Sequence, residues 1–299
     1  MKSSALGMAQ PSPAPWWGFT LVCSVIGLLA LYLPVYATAT TTIWDTEQNA
    51  HAPLVLAVAV WLFWSLREPL AAVTAKPSRA WGWGLFVAGL LTYVAGRLLG
   101  IAVLTFGSQI GVVAGLLLLL KGGQALRVAW FPLFYLVFMI PLPGTLVDAA
   151  TAPLKQWVSV LVEEILFLAG YPIARSGVVI TIGQYQMLVA DACSGLHSMF
   201  SLAALGTLFM YLMRRDGFSH NALMLAAIAP IAFAANIVRV ILLVLVTYHL
   251  GDEAGQGFLH GTAGIVLMLV ALGGFFALDG TLWSLHLRWR RARGAAAAA

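Results

Sequence analysis

Long apolar runs dominate this chain, and few environments other than a bilayer accommodate them. Residues 17–36, 101–120 and 221–238 contain no Asp, Glu, Lys or Arg. A helix of about 20 such residues crosses a hydrocarbon layer roughly 30 Å thick. Of the 299 residues, 61% are hydrophobic and only 9% charged, against about 25% charged in soluble domains. A water-soluble enzyme is therefore excluded. Eleven Trp, 15 Phe and 8 Tyr suit the aromatic belts where spans leave the membrane. A net charge of +5 would fit nucleic acid if the basic residues shared one face, but they are scattered between apolar runs. No nucleic-acid partner is expected; membrane lipids are.

The runs predict an all-α polytopic membrane protein with about eight transmembrane helices, near 17–36, 52–66, 81–96, 101–120, 125–142, 196–213, 221–249 and 262–283. The third and fourth meet at a tight Gly96-Arg97-Leu98-Leu99-Gly100 hinge, and Ala295–Ala299 reads as a frayed tail. The first run lies too far from any small-residue cleavage site for a removable signal, so it is expected to stay as a helix. With the N-terminus inside, inner segments hold 12 of the 16 Lys and Arg residues, so the charge rule puts both termini in the cytoplasm. Nothing rich in Gly or Ser divides the chain. One domain over 1–299 is expected, with a core at about 45–283 and a basic cytoplasmic tail at 284–299.

The outer segment 148–195 is too long for a simple connection. Leu154, Trp157, Val158, Leu161, Ile165 and Leu168 recur at helical spacing and predict an interfacial helix over 152–168. Val178–Ile182 and Tyr185–Val189 around Gly183-Gln184 predict a short β-hairpin on the outer side. The hairpin delivers the chain to Asp191-Ala192-Cys193-Ser194-Gly195 at the start of the sixth span, which suggests a positioned residue.

Of the two cysteines, Cys23 reads as a small apolar filler within the first span. Cys193 lies on the outer side with no second cysteine there to pair with, and stands near a helix N-terminus. Unpaired N–H groups and the macrodipole there lower a thiol pKa, but chance or an intermolecular link also fits a lone thiol. Arg239 sits in an otherwise apolar run with Asn236 on the same helical face, about ten residues from the run's outer end at Leu250. That is deep for snorkelling, and such residues face polar cavities or networks. His51, His197, His249 and His260 all fall at the outer face as candidate bases; His220 and His286 lie inside and read as solvated. The residues alone do not choose among the outer histidines. Metal catalysis is disfavoured because no His/Glu pair has zinc-ligand spacing, and no Gly-x-Ser-x-Gly elbow marks a serine hydrolase.

Ala192-Cys193-Ser194-Gly195-Leu196, Asn236-x-x-Arg239 and His260-Gly261, in this order, resemble the Cys, Arg and His motifs of the exosortase family. The likeness extends to Phe131-Pro132-Leu133, Phe138–Pro143, the Gly170-Tyr171-Pro172 and hairpin approach, and His51-Ala52-Pro53. It implies an inner-membrane cysteine transpeptidase or protease with a periplasm-facing site, needing no cofactor and no metal. Its substrates would be exported proteins with a C-terminal Pro-Glu-Pro-type motif, a membrane helix and an Arg-rich tail, with links to exopolysaccharide production. By that resemblance Cys193 is the nucleophile, His260 the acid/base and Arg239 the oxyanion or substrate-carbonyl stabiliser. Ser194, Gly195, Asn236, Asp191, His51 and His197 are the supporting or substrate-binding candidates. His197 and His249 have no place in the family pattern, and an acidic motif would have to be met by Arg175 or Arg239. The alternative is a transporter or lipid-handling protein in which Arg239 and Asn236 line a path, although no internal repeat supports it. A non-catalytic assembly partner is a third reading, with Gly111–Gly115 as a helix-packing motif.

Overall fold

The computed structural model describes residues 16–46, 49, 51–188, 195–213, 218–261 and 263–298. Side chains are described throughout these except at 16, 17, 145–148, 150, 151, 195–199, 218, 219, 258–261, 263 and 285–298. In chain order the elements are α1 (Trp16–Thr40), α2 (Ala52–Ser65), α3 (Arg67–Ala72), α4 (Arg79–Leu99), α5 (Ala102–Leu120), α6 (Gly123–Val128) and α7 (Trp130–Tyr135). A 3-10 turn (Leu136–Met139), α8 (Gly144–Leu168), β1 (Ile173–Ser176), β2 (Val179–Ile182) and β3 (Tyr185–Leu188) follow. The chain closes with α9 (Gly195–Met213), α10 (Phe218–Leu250), α11 (Asp252–Gly261) and α12 (Ala263–Ala298).

Among the described residues five helices are long and apolar enough to cross a membrane: Gly18–Thr40, Arg79–Leu99, Ala102–Leu120, His220–Leu250 and Gly264–Ser284. They correspond to the first, third, fourth, seventh and eighth expected spans. The other three coincide with shorter apolar helices, Ala52–Ser65, Trp130–Met139 and Phe200–Met213. The chain is an all-α, multi-pass membrane protein with one small antiparallel sheet.

The expected span at 125–142 is not one helix. It divides into α6, α7 and the 3-10 turn, with the first break at Ala129. Pro132 supplies the reason, since its ring crowds the carbonyl four residues back, at Val128, and offers it no N–H. The fragments are held by packing instead: Phe131, Leu133, Tyr135, Leu136, Phe138 and Met139 are all buried.

Helices α4 and α5 form the closest pair. Gly82, Gly89 and Gly96 recur every seven residues on the buried face of α4. A Cβ on Gly89 would lie 2.7 Å from the Val112 nitrogen, and one on Gly96 would lie 2.6 Å from that of Thr105. Small residues thus let the two backbones touch, the usual source of helix attraction in lipid. The expected hinge is present: Gly100 takes φ 68 and its N–H caps the Gly96 carbonyl. Tyr32 and Tyr36 of α1 bind Ser108 and Gln109 of α5 at 2.9 and 2.5 Å. Cys23 is exposed on α1 rather than serving as a packed filler.

Three cores result. The first joins α1, α2, α5, α7, the 3-10 turn and Ala204 of α9. The second packs Val158, Val162 and Leu166 of α8 and Ile173, Ile180 and Ile182 of the sheet on Val240, Leu243 and Val244 of α10. The third holds α9, the first half of α10 and α12 together. The sheet order is β1-β2-β3, antiparallel throughout, with Ser176 opposite Val179 and Ile182 opposite Tyr185. Glycines with positive φ, Gly177 and Gly183, open both two-residue turns. The two expected strands are therefore present, but β1 makes the hairpin a three-stranded sheet. Three further differences concern helices. The helix expected over 152–168 begins at Gly144, eight residues before the expected 152. The acidic connection 252–261 is helical. The last helix continues through the alanine tail to Ala298.

Candidate active site

Helix α10 positions the one deeply buried arginine among the described residues. Arg239 is 5% exposed and Asn236, one turn earlier on the same face, 7%. Each engages a partner. They fall where the second and third cores meet: Ala232 and Ala235 belong to the core with α9 and α12, and Val240, Leu243 and Val244 to the core with α8 and the sheet. Three sides of the bundle therefore converge on this stretch of α10. Arg239 stands about 16 Å of helix from the end of α10 at Leu250.

The level of each candidate along α10 follows from contacts on either side. A Cβ on Gly206 of α9 would lie 3.0 Å from Ile228 of α10, and Phe209 of α9 shares a core with Met224 and Ile228 of α10, so the two helices run back along each other. Equal steps of about eleven residues, roughly 16 Å, lead from that contact to Gly195 on α9 and to Arg239 on α10. On the other side, Gly274 of α12 meets Ile231 and Gly255 of α11 meets Thr247. Arg239 lies midway between Ile231 and Thr247, and the middle of the facing segment, near Gly264, falls in the first turn of α12. His260 belongs to the end of α11. By this counting the α9 N-terminus and the first turn of α12 lie near the level of Arg239, with the end of α11 about a turn away.

Asp191, Cys193 and Ser194 lie outside the described residues, in the six-residue link from β3 to α9. Gly195 opens α9 and His197 follows in its first turn; their side chains, like that of His260, are not described. The sheet fixes where the link starts, because Ile180 and Ile182 are fully buried against α8 and α10. His51 stands at the head of α2, immediately before Ala52-Pro53. Its ring lies 6.5 Å from that of Phe200 on α9, which in turn sits 5.1 Å from Phe138 of the 3-10 turn. His51 is therefore brought to the same end of α9 as Gly195.

Two groups are committed elsewhere. His249 Nε2 is 3.3 Å from the Tyr171 hydroxyl, and its ring packs edge-on against Tyr171 and Tyr248. Arg175 donates from Nε to Glu163 at 2.8 Å and from Nη1 to the Gly177 carbonyl at 2.9 Å. A contact not foreseen lies at the opposite end of α10: His220 Nε2 is 3.0 Å from Asp279 Oδ1 of α12, with side chains 12% and 4% exposed. His220 is thus partly buried and bound rather than solvated. A signal existed, since Asp279 is the one acid in the apolar run 264–284. Among the described residues no cluster of three or more His, Cys, Asp or Glu side chains could hold a metal ion.

A buried guanidinium is suited to an anionic centre, and so is a helix N-terminus, through its free N–H groups and the positive end of the macrodipole. The model of one protein family, described as Transmembrane exosortase (Exosortase_EpsH), matches residues 43–277. No curated protein and no solved structure matches the chain. The matched region covers most of the sequence, and the chain belongs to the exosortase family.

Proposed function

We propose that this exosortase-family protein is a membrane cysteine transpeptidase or protease that cleaves C-terminal Pro-Glu-Pro-type sorting signals of exported proteins. The observation that carries this reading is Arg239, 5% exposed on α10 between the contacts that α9, α11 and α12 make with that helix. In this reading the three distant segments meet there. The charge rule puts that place at the periplasmic face of the inner membrane, with eight spans and both termini in the cytoplasm.

In this mechanism Cys193 is the nucleophile. His260 accepts its proton, and the thiolate attacks the carbonyl carbon of the scissile bond. Arg239 donates to the oxyanion that forms, in a site where low dielectric strengthens the contact. Collapse breaks the C–N bond as His260 returns the proton to the leaving amine, and a thioester remains on Cys193. An acceptor amine or water then releases the acyl group. Asn236 orients the guanidinium from the same helical face; Ser194, Gly195 and Asp191, neighbours of the nucleophile in sequence, support it. His51 and His197 flank it. The substrate's membrane helix lies in the lipid beside the protein, and its Arg-rich tail is kept on the cytoplasmic side by the same charge rule.

The test is co-expression with a tagged protein bearing such a signal, followed by substrate size on a gel. Wild type is expected to shorten the substrate, while Cys193→Ala, Arg239→Ala and His260→Ala, each present in membranes at normal level, leave it uncut. Processing that survives Cys193→Ala would overturn the cysteine mechanism and favour a path-lining role for Arg239 and Asn236.

A further inference from the structure

Two apolar helices in lipid have little to fix their register. Contact between them gains little over contact with acyl chains, so packing must choose the alignment. The α10–α12 interface sets Ile228, Ala232 and Ala235 against Leu267, Ala271 and Phe275. A slip of one turn, about 5.4 Å, would replace these small and aliphatic groups by others much like them. The His220–Asp279 contact breaks this uniformity. It is nearly sealed from solvent, and Asp279 lies inside the apolar segment Gly264–Ser284. Ionisable groups at such positions are costly and are kept where they have a task.

We infer that His220 and Asp279 are positioning residues that lock the register of α10 against α12 and so hold Arg239 in register with the segment carrying His260. The inference rests on the assignment of Arg239 and His260 to one site. From the pair, nineteen residues lead along α10 to Arg239, and nineteen lead back through α12 and the end of α11 to His260. Between these ends Ile231 meets Gly274, and beyond Arg239 Thr247 meets Gly255. A one-turn slip would separate imidazole from carboxylate, leave the carboxylate against apolar side chains, and shift Arg239 a full turn relative to the segment carrying His260. Selecting one register among apolar alternatives is the best-attested use of a buried polar contact. It serves with a protonated imidazole or with the neutral tautomer that carries its proton on Nε2, since both donate to Oδ1.

Register is read by disulfide formation in a Cys23→Ala, Cys193→Ala background. The Ile231→Cys/Gly274→Cys pair reports the native alignment, since a Cβ at 274 meets Ile231 at 3.0 Å. Ile231→Cys/Leu278→Cys and Ile231→Cys/Val270→Cys report slips of one turn in either direction. The native pair is expected to cross-link in the intact chain. His220→Leu or Asp279→Leu is expected to make a displaced pair the major product, and the reciprocal His220→Asp/Asp279→His exchange to restore the native one. If the leucine variants fail to accumulate, His220→Gln and Asp279→Asn are read on the same pairs. In chains that keep Cys193, the single variants are expected to lower kcat by roughly 10- to 100-fold with KM little changed, and the exchange to recover it. Native cross-linking that persists in both single variants, or that the exchange fails to restore, overturns the inference. Cross-linking is read without any cleavage, so an uncut substrate in wild type would count against the peptidase reading alone.

Discussion

A guanidinium 5% exposed within a 33-residue apolar helix is the residue on which the proposed chemistry turns. Its place near a helix centre costs about 2.5–3.5 kcal/mol on insertion scales, a cost that packing alone does not require. Arg239→Lys keeps the charge but loses the planar fork of donors. If the guanidinium meets the oxyanion, this variant accumulates normally while processing slows by about 100- to 1,000-fold. Arg175→Ala is the control. Its partly exposed pair with Glu163 is worth about 1 kcal/mol or less, and processing should stay near the wild-type rate. Time courses of substrate cleavage measure both. Arg239 and Asn236 were legible in the sequence because nothing else in their run is polar. The same signal marked Asp279, but its partner is 59 residues away, and a single run cannot reveal which distant side chain reaches into it. His220 looks solvated in sequence because it stands at a helix start beside basic residues.

Hydropathy located most helices, since a span needs only length and apolarity, and both are local. What it missed were interruptions and pairings. The run at 125–142 reads as one span, yet Pro132 ends α6 at Val128 and apolar packing hides the break from any hydropathy window. Strand β1, Ile173-Ala-Arg-Ser176, is too short and polar to read alone; it is a strand because β2 lies beside it and Ile173 enters the core. Helix α11 carries three glycines and few apolar residues, and Gly255 is there for close approach to Thr247. The α4–α5 pair allows the sharpest test at this scale. A side chain at Gly89 would strike backbone, not a movable side chain, so Gly89→Leu should cost about 1–3 kcal/mol through overpacking. Gly84→Leu, with open space around its Cβ direction, should cost little. Thermal unfolding of the purified variants in detergent compares them directly, and equal losses would show that the glycine stripe is not the contact.

In the whole molecule, α10 belongs to two of the three cores and connects every candidate segment. The sheet grips its second half, α9 and α12 its first, and Arg239 lies between. Sequence order spreads Cys193, Arg239 and His260 over nearly 70 residues, and the motifs alone say only that they share a side of the membrane. Glycine contacts at 206, 255 and 274, which no periodicity predicts, tie α9, α11 and α12 to the stretches of α10 on either side of Arg239. The most direct test of that convergence is a disulfide between native Cys193 and the thiol introduced by His260→Cys, formed in intact membranes of a Cys23→Ala chain. Two cysteines bridge only when their Cα atoms come within about 7 Å. Efficient cross-linking, lost when Cys193→Ala is added, is the predicted result. No bond at that pair, while Ile231→Cys/Gly274→Cys cross-links in a Cys193→Ala chain, would place the cysteine and the histidine in different parts of the protein.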